Sequence, residues 1–145
     1  MTQQRLWALA LAAVGLGVAV YLTATHYFAG AVPLACTTSG PVNCEQVTSS
    51  AQSIVAGIPV AVFGVVWFGV ELILLLADRS LPTRTLELAR LGWASVGLLV
   101  VLYLIYAELF LIGALCAWCT AVHALVIGLF LLALNEVTAA EPLPA

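Results

Sequence analysis

Four cysteines are the residues in this sequence best suited to chemistry. Cys36 and Cys44 stand eight positions apart in "LACTTSGPVNCEQ", and Cys116 and Cys119 form a Cys-x-x-Cys in "LCAWCTAVHAL". A Cys-x-x-Cys at a helix N-terminus has its first sulfur beside unpaired backbone N–H groups and the positive end of the helix dipole, which favours the thiolate that attacks disulfides. Cys116, nearer the helix start, benefits more. Thiol–disulfide exchange proceeds by direct attack of sulfur on sulfur. A loop holding Cys36 and Cys44 over the other pair could therefore relay electrons from a soluble thiol partner to Cys116 and Cys119.

Simpler uses of the same residues stay open. Closing the Cys36–Cys44 segment as a staple would restrict the unfolded loop by about 2.5 kcal/mol in the chain-entropy model. Cys116 and Cys119 could be small buried hydrophobes at a helix interface. Cys116, Cys119 and His123 also share a helical face at i, i+3 and i+7 and are zinc-type ligands, but a convincing fourth ligand is lacking.

The elements that must position these residues are membrane helices. Of 145 residues, 64% are hydrophobic and 8% charged, against about 45–50% and 25% in an ordinary soluble domain. The apolar runs predict an all-α protein, a four-transmembrane-helix bundle in a single domain over residues 1–145. The helices are expected at about 6–28, 57–77, 86–109 and 114–134, and the loop 29–56 between the first two caps the site. The stretch 91–134 would be about 65 Å long as one helix, twice the bilayer, so it must fold back. "ELFLIG" is the natural turn, with Glu108 resisting the bilayer centre and Gly113 supplying the tight connection. The first span also has features of a secretory signal peptide, whose loss would leave three, but its apolar part exceeds the usual h-region.

The chain has no lysine, and its arginines are Arg5, Arg79, Arg84 and Arg90. Positive residues stay in the cytoplasm, so both termini are expected there and the Arg-free and Lys-free segment 28–56 outside. All four cysteines then lie at the extracytoplasmic rim, where disulfides persist. Electrons that reach a dithiol in the membrane must leave it, and a lipid-soluble quinone is the acceptor that the location offers. The net charge of −3 presents no basic surface for nucleic acid.

The loop cysteines, the phrase "VNCEQVTSSAQSIVAGIPVAVFG" and the helix opening "CAWCTAVH" together resemble the vitamin K epoxide reductase family in its bacterial branch. The DsbB type of membrane oxidase has its Cys-x-x-Cys in the first outer loop and the wider pair in the second, the reverse order. The resemblance implies a disulfide-generating thiol:quinone oxidoreductase of the bacterial cytoplasmic membrane. Cys119 corresponds to the cysteine that reduces the quinone (ubiquinone or menaquinone) and Cys116 to its partner. Cys44 corresponds to the loop cysteine that exchanges with the helix pair, and Cys36 to the one that meets the external thiol. No metal is implied. The implied thiol partner is a thioredoxin-fold, DsbA-like protein, expected to be separate because residues up to Ala145 include no such domain.

Vertebrate members carry a tyrosine where this sequence has His123, and an asparagine on the second helix where "GIPVAVFG" is apolar, so the resemblance does not carry epoxide reduction. His123 could still hydrogen-bond or protonate a quinone oxygen, or simply pack between helices. Phe63 and Trp67, one turn apart, could flank a quinone ring or serve as packing and interface aromatics. Ser49 and Ser50 are expected where a short segment caps the bundle. Glu108 reads as an interfacial carboxylate in water, with a proton route as the alternative, and Glu71 as snorkelling or paired with Arg79. The rival from another class is a structural membrane subunit with a stapling loop disulfide and no redox turnover.

Overall fold

The computed structural model describes residues 3–36, 39–77 and 83–139. Three of its helices are long and apolar enough to cross a membrane: α1 (Gln3–Tyr27), α4 (Thr83–Tyr106) extended to Ile112 by a π-helical turn, and α5 (Ala117–Ala139). A shorter apolar helix, α3 (Val60–Leu76), packs with them. Large apolar side chains such as Phe110, Leu99, Leu76 and Ile73 point outward and are about two-thirds exposed or more, up to 73%. In water such a surface would be an aggregation liability, whereas in lipid it is at home. The protein is an integral membrane protein built as a helical bundle.

The helices associate through narrow buried stripes that include alanines and glycines, because lipid offers no hydrophobic gain for burying leucine and close packing must supply the attraction. On α1 the buried stripe is Ala8, Ala12, Gly15, Ala19 and Leu22, and on α4 it is Leu86, Arg90, Ala94, Gly97 and Val101. Two of these glycines are required by close approach. The Phe68 ring lies against Gly15, and the Trp67 indole lies where a Cβ on Gly97 would sit, 2.5 Å from its nearest atoms. Trp67 and Trp93 fasten α3 to α4 reciprocally: each indole N–H donates to the other's backbone carbonyl, at 3.2 and 3.1 Å, with the rings stacked.

One end of the bundle is tied by arginines. Arg90 bonds Glu71 at 3.4 Å and also Glu136, joining α4 to α3 and α5. Arg84 donates to the Val137 carbonyl at 3.1 Å, and Arg5 to that of Leu75. Glu71 is therefore not snorkelling: it is fully buried, and Arg90 supplies a counter-charge, while the expected pairing with Arg79 falls on a residue outside the described ones.

The other end carries the loop after α1. It contains a short helix α2 (Cys44–Thr48), a 3-10 turn and a hairpin of two-residue strands, β1 (Ile54–Val55) and β2 (Ile58–Pro59), closed by Ala56 and Gly57 with positive φ. The fold-back at this end comes later than hydropathy alone suggests. The helix continues past Glu108 to Ile112 and stops at Gly113, whose φ of 70° ends the turn, a conformation that glycine adopts without strain. Cys116 accordingly precedes α5 instead of lying within its first turn.

Candidate redox site

Cys36 and Cys44 are joined in a disulfide, with Cα atoms 6.1 Å apart. Its two ends are held differently. The residue before Cys36 is clamped: the Tyr21 hydroxyl donates to the Pro33 carbonyl (3.0 Å) and accepts from the Ala35 N–H (2.8 Å), while the Trp118 indole donates to the Ala35 carbonyl (2.7 Å). Cys44 begins α2, where the Asn43 side chain caps the helix by accepting from the Gln46 N–H at 3.1 Å. This is the standard way to satisfy an otherwise orphaned N–H.

A short parallel bridge then sets the loop against the α4–α5 connection. The Asn43 N–H donates to the Leu115 carbonyl and the Leu115 N–H to the Pro41 carbonyl, both at 2.9 Å. The Gln46 side chain adds a bond to the Ile112 carbonyl. Because Cys44 and Cys116 follow Asn43 and Leu115 directly, these bonds bring the two cysteines into one buried cluster with Val47 and Ala114, and Cys36 and Cys119 pack against it. Cys44 and Cys116 are fully buried, whereas Cys36 and Cys119 are partly accessible.

Cys116 and Cys119 are free thiols. The Cys119 backbone N–H donates to the Cys116 sulfur at 3.2 Å, a bond that strengthens when the acceptor is a thiolate. The Cys116 carbonyl accepts from both the N–H and the hydroxyl of Thr120, fixing the first turn of α5 around the pair.

Beneath the cluster lies a mostly apolar cavity of about 760 Å³, within the range of small-molecule sites. Cys36, Cys44, Cys119, His123, Phe63, Trp67, Ser49 and Ser50 all line it; Cys116 does not, and it is fully buried. The lining residues Phe63, Val66, Val96 and Val100 are each about half exposed, so the cavity meets the lipid-facing surface between α3 and α4. The serine hydroxyls direct their protons to the backbone: Ser49 donates to the Glu45 carbonyl and Ser50 to that of Val47, both at 2.7 Å. His123 is buried and has no hydrogen-bond partner among the described residues. The described residues also contain no group of three or more His, Cys, Asp or Glu placed to hold a metal ion, so Cys116, Cys119 and His123 do not form one.

Glu108 departs most from expectation. It is 4% exposed and lines the cavity, so it is not an interfacial carboxylate in water. It lies seven residues after Val101 and continues the buried stripe of α4. The Tyr21 and Trp118 clamp and the Asn43–Leu115 bridge also went unforeseen. The Asn43-x-x-Gln46 spacing before a short helix was the one local signal, since it has a capping-box form.

No individually curated protein matches the chain. The family model of the vitamin K epoxide reductase family matches residues 6–134, which takes in every element that builds the cavity and all four cysteines, and the chain belongs to that family.

Proposed function

We propose that the protein is a membrane thiol:quinone oxidoreductase that generates disulfides on the extracytoplasmic side of a bacterial cytoplasmic membrane. A dithiol partner of thioredoxin fold reduces the Cys36–Cys44 disulfide and is itself oxidised. The loop dithiol then reduces a Cys116–Cys119 disulfide, and the helix dithiol passes two electrons and two protons to a quinone, giving a hydroquinone. α3, about 25 Å long at 17 residues, serves as the fourth span, and the arginine end faces the cytoplasm.

The observation that carries this reading is the cluster of four cysteines at the mouth of a lipid-accessible cavity, with the loop pair bonded and the helix pair as thiols. That combination corresponds to the moment before electrons leave for the quinone. Partly exposed Cys36 suits attack by an external thiol, and Cys119, on the cavity wall, suits transfer to the guest. His123, Phe63 and Trp67 line the same cavity, which supports them as contacts of a quinone ring.

Reoxidation of a reduced thioredoxin-fold partner by the purified protein with added quinone tests the reading. Cys119→Ala should abolish turnover while leaving the Cys36–Cys44 disulfide intact. Undiminished turnover would overturn the relay through Cys119, and no turnover by the wild-type protein would leave the structural-subunit reading in its place.

A further inference from the structure

We propose that Glu108 carries the protons that accompany electron transfer from the Cys116/Cys119 thiols to the quinone, an inference that rests on the redox function proposed above. Oxidising the two thiols releases two protons in a site walled by apolar side chains, and the quinone must take up two. A carboxyl group lining the same cavity can serve both ends of that transfer.

The placement of Glu108 is specific. Its side chain is buried at the cavity wall shared with Cys119 and His123. The Cys116 backbone N–H interacts with its carboxylate, and its charge is felt at both Cys116 and Cys119. The residue lies in the π-helical turn Ala107–Ile112, where the Gly113 N–H bonds the Glu108 carbonyl at 2.9 Å, and such turns are frequent at functional sites.

Comparison with Glu71 separates a structural carboxylate from this one. Glu71 is equally buried but bonded by Arg90, whereas Glu108 has no ion-pair partner among the described residues. The arginines of this lysine-free chain are at positions 5, 79, 84 and 90, and those within the described residues belong to the opposite end. A buried carboxylate without a counter-charge is costly, and a role in turnover accounts for its retention.

In the proposed step Glu108 takes the proton of one thiol and delivers it to a quinone oxygen. The second thiol proton follows by the same route as the sulfurs join. Two S–H bonds are lost, one S–S bond forms, the quinone gains two electrons and two protons, and the carboxylate is regenerated.

The test uses the full chain in lipid nanodiscs, dithiothreitol as electron donor and a short-chain ubiquinone as acceptor, followed by its absorbance. Glu108→Gln should lower the quinone reduction rate about 100-fold, Glu108→Asp should stay within about tenfold of wild type, and formate should raise the Glu108→Ala rate at least about tenfold. Formate rescue is read within one protein sample and is independent of any folding difference between variants. A Glu108→Gln rate within about threefold of wild type, or a loss that neither aspartate nor formate repairs, overturns the proposal. Failure of the wild-type protein to reduce quinone would instead overturn the redox function itself, and this inference with it.

Discussion

Asn43 donates its backbone N–H to the carbonyl of Leu115 at 2.9 Å, and each of these residues is followed immediately by a cysteine. One main-chain rung therefore sets the register between Cys44 and Cys116. Side-chain bonds could position two sulfurs as well, but a backbone rung does so without depending on rotamers.

This register predicts a trappable link. In a Cys36→Ser, Cys119→Ser double variant the remaining thiols, both buried in one cluster, should oxidise to a Cys44–Cys116 disulfide, read by peptide mapping under non-reducing conditions. Adding Asn43→Pro removes both the N–H and the α2 cap and should suppress the link at least about tenfold, a loss of about 1.4 kcal/mol or more, comparable to one or two such bonds. Equal yields with and without the proline would show that the rung is irrelevant to the encounter.

Tyr21 offers a test at the exposed sulfur. Tyr21→Phe deletes the hydroxyl that bonds both Pro33 and Ala35, worth about 1 kcal/mol. Looser backbone beside Cys36 should speed reduction of the loop disulfide by dithiothreitol about fivefold. Stopped alkylation assays measure that rate directly, and an unchanged one would mean that Trp118 alone suffices.

The Glu71–Arg90 pair should behave as a buried ion pair does. Glu71→Ala leaves the Arg90 guanidinium without one of its two carboxylates, and breaking such a pair costs about 3–5 kcal/mol. A Glu71→Leu, Arg90→Leu double variant should recover much of this, because apolar side chains suit the interior of a membrane bundle. Thermal unfolding in detergent compares the two, with the single variant expected to melt lower.

Gly97→Ala should act through its neighbour. The new methyl occupies the space of the Trp67 indole, costing about 1–3 kcal/mol by overpacking and displacing a ring that lines the cavity. The apparent KM for quinone should rise by about tenfold with a smaller change in kcat. Steady-state kinetics at saturating thiol donor would reveal the split.

What could be foreseen follows the reach of each physical signal. Apolar runs longer than a soluble helix tolerates mark membrane spans directly, and the two cysteine spacings mark a dithiol chemistry. Hydropathy alone, however, assigns Glu108 to the aqueous rim, because it averages over a window and cannot tell the lipid face of a helix from its packed face. The i+7 step from Val101 to Glu108 contains the missing information, but only once the stripe of Leu86, Arg90, Ala94, Gly97 and Val101 is known to be buried. Glu71 and Arg90 failed to declare themselves for a related reason: their pairing depends on which helices are neighbours, and proximity in sequence favours Arg79. The Asn43–Leu115 rung is main-chain chemistry that any residue can supply, so it leaves almost no trace in side-chain identity.

The mutual handshake of Trp67 and Trp93 has a last consequence. It closes the seam between α3 and α4 on the side toward Arg90, so the fissure through which the proposed quinone would enter from the lipid ends there. A long hydrocarbon tail attached to such a guest has to trail sideways into the bilayer, and the charged pair one turn further on stays sealed from the pocket. The bundle can open to one face of the membrane without becoming a conduit to the other.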